Sequence, residues 1–494
     1  MPKRELHDIQ GLVFFGYGAL KQARYLFLRF HDAAGARSWL GQVAAEVTNA
    51  APVPRELRST TNQNVALTWQ GLKALALNDD ALATFPHEFR QGMADPYRAR
   101  ILGDCIGSAP ERWDVGGPNT PPVHALLMLF AKTAQELETL VDEQRKRCQA
   151  SGGAVSIVYE QPTITLVEAE QFGFRDGISS VTLQNGPIEP RPGEDVIQPG
   201  EVLLGYPNEY NKLPFSPTVA ARDDSANLLR PDAEHPDRRD LGRNGTYLVF
   251  RKLRQDVVRF CQFCDEQTKN NDGTSNPEER TRLASKMVGR WPSGAPLVLC
   301  PDNDDCDLGA DTGRNNVFGF AETDPHGYRC PLGAHIRRSN PRDGLGPTPK
   351  ESATIVNRHR LLRRGRPYGE LMLDPLQESG DDGVDRGLVF ICLNANIARQ
   401  FEFVQQTWIN DPKFHGLYDN KDPITGDNLD LSLGGPPDSE EDADIPYNFT
   451  IPQQPVRRRI SGLTRFVHVR GGGYFFLPGL SALRFLAGEG AAKT

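Results

Sequence analysis

The sequence predicts an α+β protein built from two similar halves, each a ferredoxin-like unit with an antiparallel sheet. Short β-type runs alternate with stretches whose apolar residues recur at helical spacing, which is the first reason. The second is a faint internal repeat. Thr246–Arg251, TYLVFR, resembles Tyr25–Arg29, YLFLR, and a helical pattern follows each. Leu388–Leu393, LVFICL, then opens a segment whose helix runs to about Trp408, echoing Val123–Cys148. A repeat legible in element order more than in identity implies two copies of one supersecondary arrangement.

Taken in order, Tyr25–Phe30 reads as a strand and Ala34–Val47 as a helix. Val65–Leu77 continues the alternation, and Val123–Phe130, VHALLMLF, reads as a buried strand because it is apolar apart from His124 and of strand length. Thr133–Cys148 is a long amphipathic helix with acidic residues early and Lys/Arg late, the order that suits a helix dipole. Strand signals return at Ala154–Tyr159 and Thr163–Leu166. A polar, proline-rich interval, Pro187–Asn244, then carries little periodicity. We therefore expect a first domain over 1–215, a linker over 216–245 and a second domain over 246–494. Asn270–Glu279, Pro301–Arg314 and Asp422–Pro455 are rich in Asp, Asn, Gly and Pro and lack an apolar period. They read as solvated loops, with the alternative that they wall an access channel.

Composition narrows the function. The chain has 494 residues, 38% of them hydrophobic, enough for substantial cores without staples. Its net charge of -8 argues against nucleic acid or an anionic membrane surface as partner. The N-terminal MPKRELHDIQG has no apolar h-region, and no later run approaches the ~18 apolar residues of a membrane span, so the expectation is a cytoplasmic chain. Eight cysteines are too sparse for a disulfide scaffold in a chain this long, so reduced thiols are expected. Cys261-x-x-Cys264 lies in an amphipathic helical pattern with no second CxxC, although Cys300 and Cys306 could complete a zinc site.

Against this acidic background, Pro331–Gly369 stands out. His335 sits in a locally apolar Gly-Ala-His-Ile and is followed by Arg337, Arg338 and Arg342, then by Arg360, Arg363, Arg364 and Arg366. A neutral imidazole can ligate a metal, and guanidinium groups bind anions or polarise oxygen. The alternative is a satisfied core histidine beside a solvated basic face. Of the other histidines, His7, His235 and His326 sit in polar runs, His359 in an arginine-rich one, and His31 and His124 border strands. Upstream, Phe172–Ser180, FGFRDGISS, places Asp176 in a Gly-x-x-Asp-Gly turn, where glycines let backbone pass close to a flat ligand and expose the carboxylate.

Together with Asp8–Phe30 and Arg465–Leu483, RFVHVRGGGYFFLPGLSAL, these motifs resemble, in order and over nearly the whole chain, the dye-decolourising haem peroxidases, in particular their longer members. The resemblance implies two ferredoxin-like domains of the dimeric α+β-barrel type with haem b, one per chain, held in the second half. It implies a monomer or homodimer that reduces hydrogen peroxide and oxidises dye-like or phenolic donors. His335 would be the axial iron ligand, Asp176 the distal proton shuttle and Arg363 the distal cation, with Arg364 its nearest rival. Leu388 and Phe390, which share a strand face, would form an apolar roof beside Asp176. Asp422 would hold the histidine's other nitrogen, or else simply form a turn before Pro423. Arg342 would meet a haem propionate, or else a structural ion pair. Electrons from donors too bulky for the pocket would leave through Tyr368, with Trp408 a second candidate. An aspartate in place of a histidine base implies an acidic optimum for dye oxidation. The alternative function is a haem-handling protein, removing iron or delivering haem, which would need His335 but not Asp176 and Arg363 poised together.

Overall fold

The computed structural model describes residues 3–165, 169–372, 375–376, 383–428 and 448–489. Its centre is one nine-stranded sheet. The first half contributes β1 (Gln22–Phe30), β2 (Thr61–Leu67), β3 (Ala125–Ala131) and β4 (Val155–Pro162). The second contributes β5 (Thr246–Gln255), β6 (Leu362–Arg363), β7 (Arg366–Tyr368), β8 (Gly387–Asn394) and β9 (Val467–Leu477). The order along the sheet is β6-β8-β5-β9-β2-β3-β1-β4, with β7 also on β8, and all of these pairings are antiparallel. With β6 and β7, which both pair with β8, counted as one edge strand, the order within each half is second, third, first, fourth, and the repeated YLFLR and TYLVFR lie on the first strand of each. The halves join edge to edge where Phe476 of β9 meets Leu67 of β2.

Side chains alternate across a strand, so a sheet covered on both faces demands apolar residues at every position. That is why β3, ALLMLFA, is apolar throughout. Leu127 and Leu129 of β3 join Leu26 and Leu28 of β1 in a core under α1 (Ala33–Glu46), with Trp39 and Leu40 of that helix. Leu126, Met128 and Phe130 point the other way, with Tyr25 and Phe27, into a second core. Local chemistry starts the helices: Asp32 accepts from Gly35 N at the head of α1, and Thr133 and Glu136 form a capping box at the head of α2 (Ala134–Ala150).

Several expectations change. Thr163–Thr165 does not form a strand: Thr163 N still donates to Ala23 O of β1 at 3.3 Å, but Ile164 N turns to Pro367 O at 3.1 Å, so no ladder with one partner continues; Leu166 lies outside the described residues. After β8 the chain winds as wider π-helical turns over Ala398–Glu402 and Val404–Ile409. The interval read as unpatterned holds a small sheet of Thr218–Ala220, Arg230–Pro231 and Arg238–Asp240. Asp422–Pro455 contains a strand, Asn448–Ile451, paired with Arg458–Ser461, while 429–447 lies outside the described residues. Among the described residues no helix is long and apolar enough to cross a membrane. Cys261 and Cys264 are buried in the helix α3 (Val257–Glu266), and all eight cysteines are free of disulfides.

Candidate functional site

Strand alternation builds the floor of a cavity of about 300 Å³ in the second half. Arg251 and Leu253 of β5, Leu388 and Phe390 of β8, and Val467 and Val469 of β9 line it at period two. The short helix α4 (His335–Ser339), the π-helical turns and the loop around Asp176 supply the other walls. Leu388 and Phe390 thus line the same cavity as Asp176.

His335 is the first residue of α4. Its Nδ1 lies 2.9 Å from Asp422 Oδ2, and the Asp422 side chain is fully buried. Asp422 Oδ1 also accepts from Ile424 N at 2.9 Å and Thr425 N at 2.8 Å, so the aspartate both forms a turn and receives the imidazole. Burial opposes ionising either group. For Asp422 the neighbouring imidazole, with hydrogen bonds, outweighs burial and holds the carboxyl below the usual range. For His335 the carboxylate outweighs burial and raises the imidazole. A carboxylate only accepts, so Nδ1 carries the proton and the Nε2 lone pair is left toward the cavity that His335 lines. Other imidazoles are committed elsewhere: His359 stacks on Phe403 at 3.9 Å, and His124 Nδ1 accepts from Phe30 N at 3.0 Å.

Asp176 stands in a turn with Gly173 at φ 88° and Gly177 at φ 76°, values only glycine adopts without strain. Arg363 Nη1 lies 3.4 Å from Asp176 Oδ1, and its Nη2 donates to Ser179 O at 3.1 Å. Both side chains are 43% exposed, and that exposure opens onto the cavity both of them line. Burial in that wall would raise the Asp176 carboxyl, but the Arg363 charge and a hydrogen bond from Gly177 N prevail and hold it below the usual aspartate value. Arg364, one residue on, faces the opposite way and donates to Leu12 O at 2.8 Å and Val13 O at 2.7 Å. Alternation along the chain separates the two arginines.

Arg342 lines the cavity, but its guanidinium also donates to Asn316 O and Phe318 O, each at 3.0 Å, and stacks on the Phe318 ring at 3.9 Å. Its guanidinium is therefore held by carbonyl oxygens, and among the described residues no carboxylate forms a salt bridge with it. Burial depresses it to about 10. Tyr368 does not line the cavity and is buried at 3% exposure, so it is not itself a surface residue. Its hydroxyl donates to Asp385 Oδ1 at 3.2 Å, and Lys252 Nζ sits 5.0 Å from the ring centroid. Trp408 is buried against His359 and Phe403. Sequence reasoning missed Glu170, Arg290 and the buried Arg251–Asp104 ion pair, all on the cavity. Glu170 adjoins the glycine turn and was open to discovery there, whereas Arg251 and Asp104 are 147 residues apart with no local pattern to join them.

One imidazole with an outward lone pair, an apolar floor, and Arg290, Arg342 and Arg360 on the same cavity suit a flat, largely apolar metal macrocycle carrying acidic groups. No family model matches the chain. A dye-decolorizing peroxidase of Mycena epipterygia is 30% identical over 505 aligned positions, covering 98% of this chain and 87% of that protein. Dye-decolorizing peroxidase msp1 of Mycetinis scorodonius is 30% identical over 501 positions, covering 97% and 87%. A solved structure of a dye-decolorizing peroxidase in complex with 2,6-dimethoxyphenol superposes with a TM-score of 0.74 at 25% identity, covering 99% of this chain and 100% of that one.

Proposed function

This chain belongs to the dye-decolorizing peroxidase family, and from that premise we propose that it binds one haem b, reduces hydrogen peroxide and oxidises phenolic and dye-like donors. It is a peroxidase. The residue assignment rests on one observation: a carboxylate–guanidinium pair and an imidazole backed by a buried carboxylate line a single cavity. Bound there, haem supplies the iron at which peroxide is reduced. His335 would hold the iron, and Asp422 keeps the histidine proton on Nδ1 and makes the ring a stronger donor. Arg342 and its arginine neighbours face the acidic groups. Asp176 takes a proton from one oxygen of hydrogen peroxide and delivers it to the other, which leaves as water. Arg363 orients the peroxide and offsets the charge that builds as the O–O bond breaks. Leu388 and Phe390 exclude bulk water from that carboxylate.

The two halves, each with strand order second, third, first, fourth, support a reading as ferredoxin-like units in a barrel-type pair, divided at 1–215, 216–245 and 246–494. Tyr368, through Asp385, is the proposed electron exit for donors too large to enter. The test is direct. Purified, haem-loaded protein mixed with hydrogen peroxide should oxidise 2,6-dimethoxyphenol and a bulky dye, with haem absorbance changes preceding product. Full haem content without peroxide-dependent oxidation would overturn the proposal.

A further inference from the structure

Glu170 has no part in the proton transfer given to Asp176 and Arg363, yet it lines the same cavity, partly buried. Its carboxylate accepts from Phe172 N at 3.0 Å through Oε2 and from Phe174 N at 3.1 Å through Oε1. Oε2 also accepts from Gln255 Nε2 at 2.6 Å, which ties the loop to β5 of the cavity floor. Its main chain closes the same turn, with Glu170 N donating to Phe174 O and Gly173 N donating to Glu170 O, both at 2.9 Å. A single antiparallel bridge between Ala169 and Arg175 completes the loop, and Asp176 is the next residue.

Among the described residues no cation pairs with Glu170. A partly buried carboxylate held by neutral donors alone is a costly way to close a loop; desolvation lifts this one to about 7. What it supplies that a neutral group cannot is two strong acceptor oxygens for two amides at once. Those amides flank Gly173 and belong to Phe172 and Phe174, whose buried rings fix the turn from the other side against the core that includes Phe260. We propose that Glu170 is a positioning residue for the peroxide reaction: by accepting the Phe172 and Phe174 amides while anchored to Gln255, it sets the turn that presents Asp176 to Arg363. This rests on the shuttle role of Asp176.

The test compares Glu170→Ala, Glu170→Gln, Asp176→Asn and the double variant Glu170→Ala/Asp176→Asn, each at matched haem content. Amide hydrogen exchange of Phe172 and Phe174, with the amides of α2 as reference, should accelerate at least about tenfold in Glu170→Ala, the factor one ordinary hydrogen bond implies. It should accelerate less in Glu170→Gln, which retains one acceptor oxygen, and not at all in Asp176→Asn. The peroxide reaction should slow in the same order. In the Asp176→Asn background, Glu170→Ala should change the rate by less than about threefold, since it acts through a group already removed. Unchanged exchange at both amides, or full multiplicative loss in the double variant, would overturn the proposal. Should Glu170→Ala fail to fold, exchange and rate in Glu170→Gln decide, and parent-like values in both overturn it. A parent-like rate in Asp176→Asn alone would instead remove the underlying shuttle reading, leaving Glu170 to hold a loop that does not serve the reaction.

Discussion

At the scale of single residues, His335 offers the cavity its one imidazole with a free lone pair among the lining residues, so His335→Ala should fold yet retain little haem. Haem absorbance against protein concentration checks this, and parent-like haem content would remove His335 from the role. On the other side, Asp176→Asn should keep haem and slow the peroxide reaction by about 10²- to 10⁴-fold, the usual range for general acid–base assistance. The pH dependence follows from the sign of the shift. Asp176 is held below the ordinary aspartate value, so it stays a proton acceptor as pH falls and the reaction is lost only below about pH 4. Arg363→Leu removes the largest effect opposing burial, raises the carboxyl, and should move that acid limb to higher pH. Stopped-flow rates with peroxide across about pH 3 to 8 measure both effects; a limb near 6.5 in the parent that persists in Glu170→Gln would indicate a histidine base instead. Tyr368→Phe removes the hydroxyl bound to Asp385 and should lower turnover of bulky dyes more than of small phenols. Equal losses on all donors would make it a packing residue.

At the scale of elements, the cavity floor depends on how closely β5 and β8 approach. A Cβ at Gly387 would lie 1.9 Å from Leu253 O, on the neighbouring strand and one residue before the roof residue Leu388. Gly387→Ala must therefore push β8 away from β5. The expected loss is about 1 to 3 kcal/mol, as for other over-packed sites, with weaker haem retention because Leu388 moves with its strand. Gly18→Ala, where nothing lies within 4 Å of the added carbon, is the control. Thermal melts and haem titrations of the two variants distinguish a local clash from a general intolerance of substitution. The element pattern itself was readable from periodicity where an element is long, as in α2 and β3. It failed at Thr163–Thr165, where the residues favour a strand but the backbone donates first to Ala23 and then to Pro367, so no ladder with one partner forms.

At the scale of the molecule, the halves share more than the edge between β9 and β2. Arg98 of the first half pairs with Glu402 of the second at 2.8 Å, with side chains 9% and 4% exposed, and Asp104 pairs with Arg251 across the same boundary. Such contacts should make the two halves unfold as one. Urea titrations followed by near-ultraviolet circular dichroism and by haem absorbance should coincide; separate transitions would show independent domains. Arg98→Met leaves the Glu402 carboxylate buried with the Tyr474 hydroxyl as its remaining strong donor. The shared transition should then lose about 3 to 5 kcal/mol, the usual penalty for stranding one buried charge.

The sequence by itself determined the features that live in short-range pattern: the repeated order of strands and helices, the glycine-flanked Asp176, and the apolar setting of His335 beside its arginines. Periodicity and turn chemistry are local, and a few residues suffice to express them. Tertiary structure alone decided which distant groups meet. It joined His335 to Asp422 across 87 positions, and Glu170 to Gln255 across 85. It turned Arg363 into the cavity and Arg364 toward Leu12, and it buried Tyr368, which chain position had suggested could reach the surface. The physical reason is that partner choice follows from strand order and register. In this protein those are fixed only when two cores, one on each face of the sheet, close together.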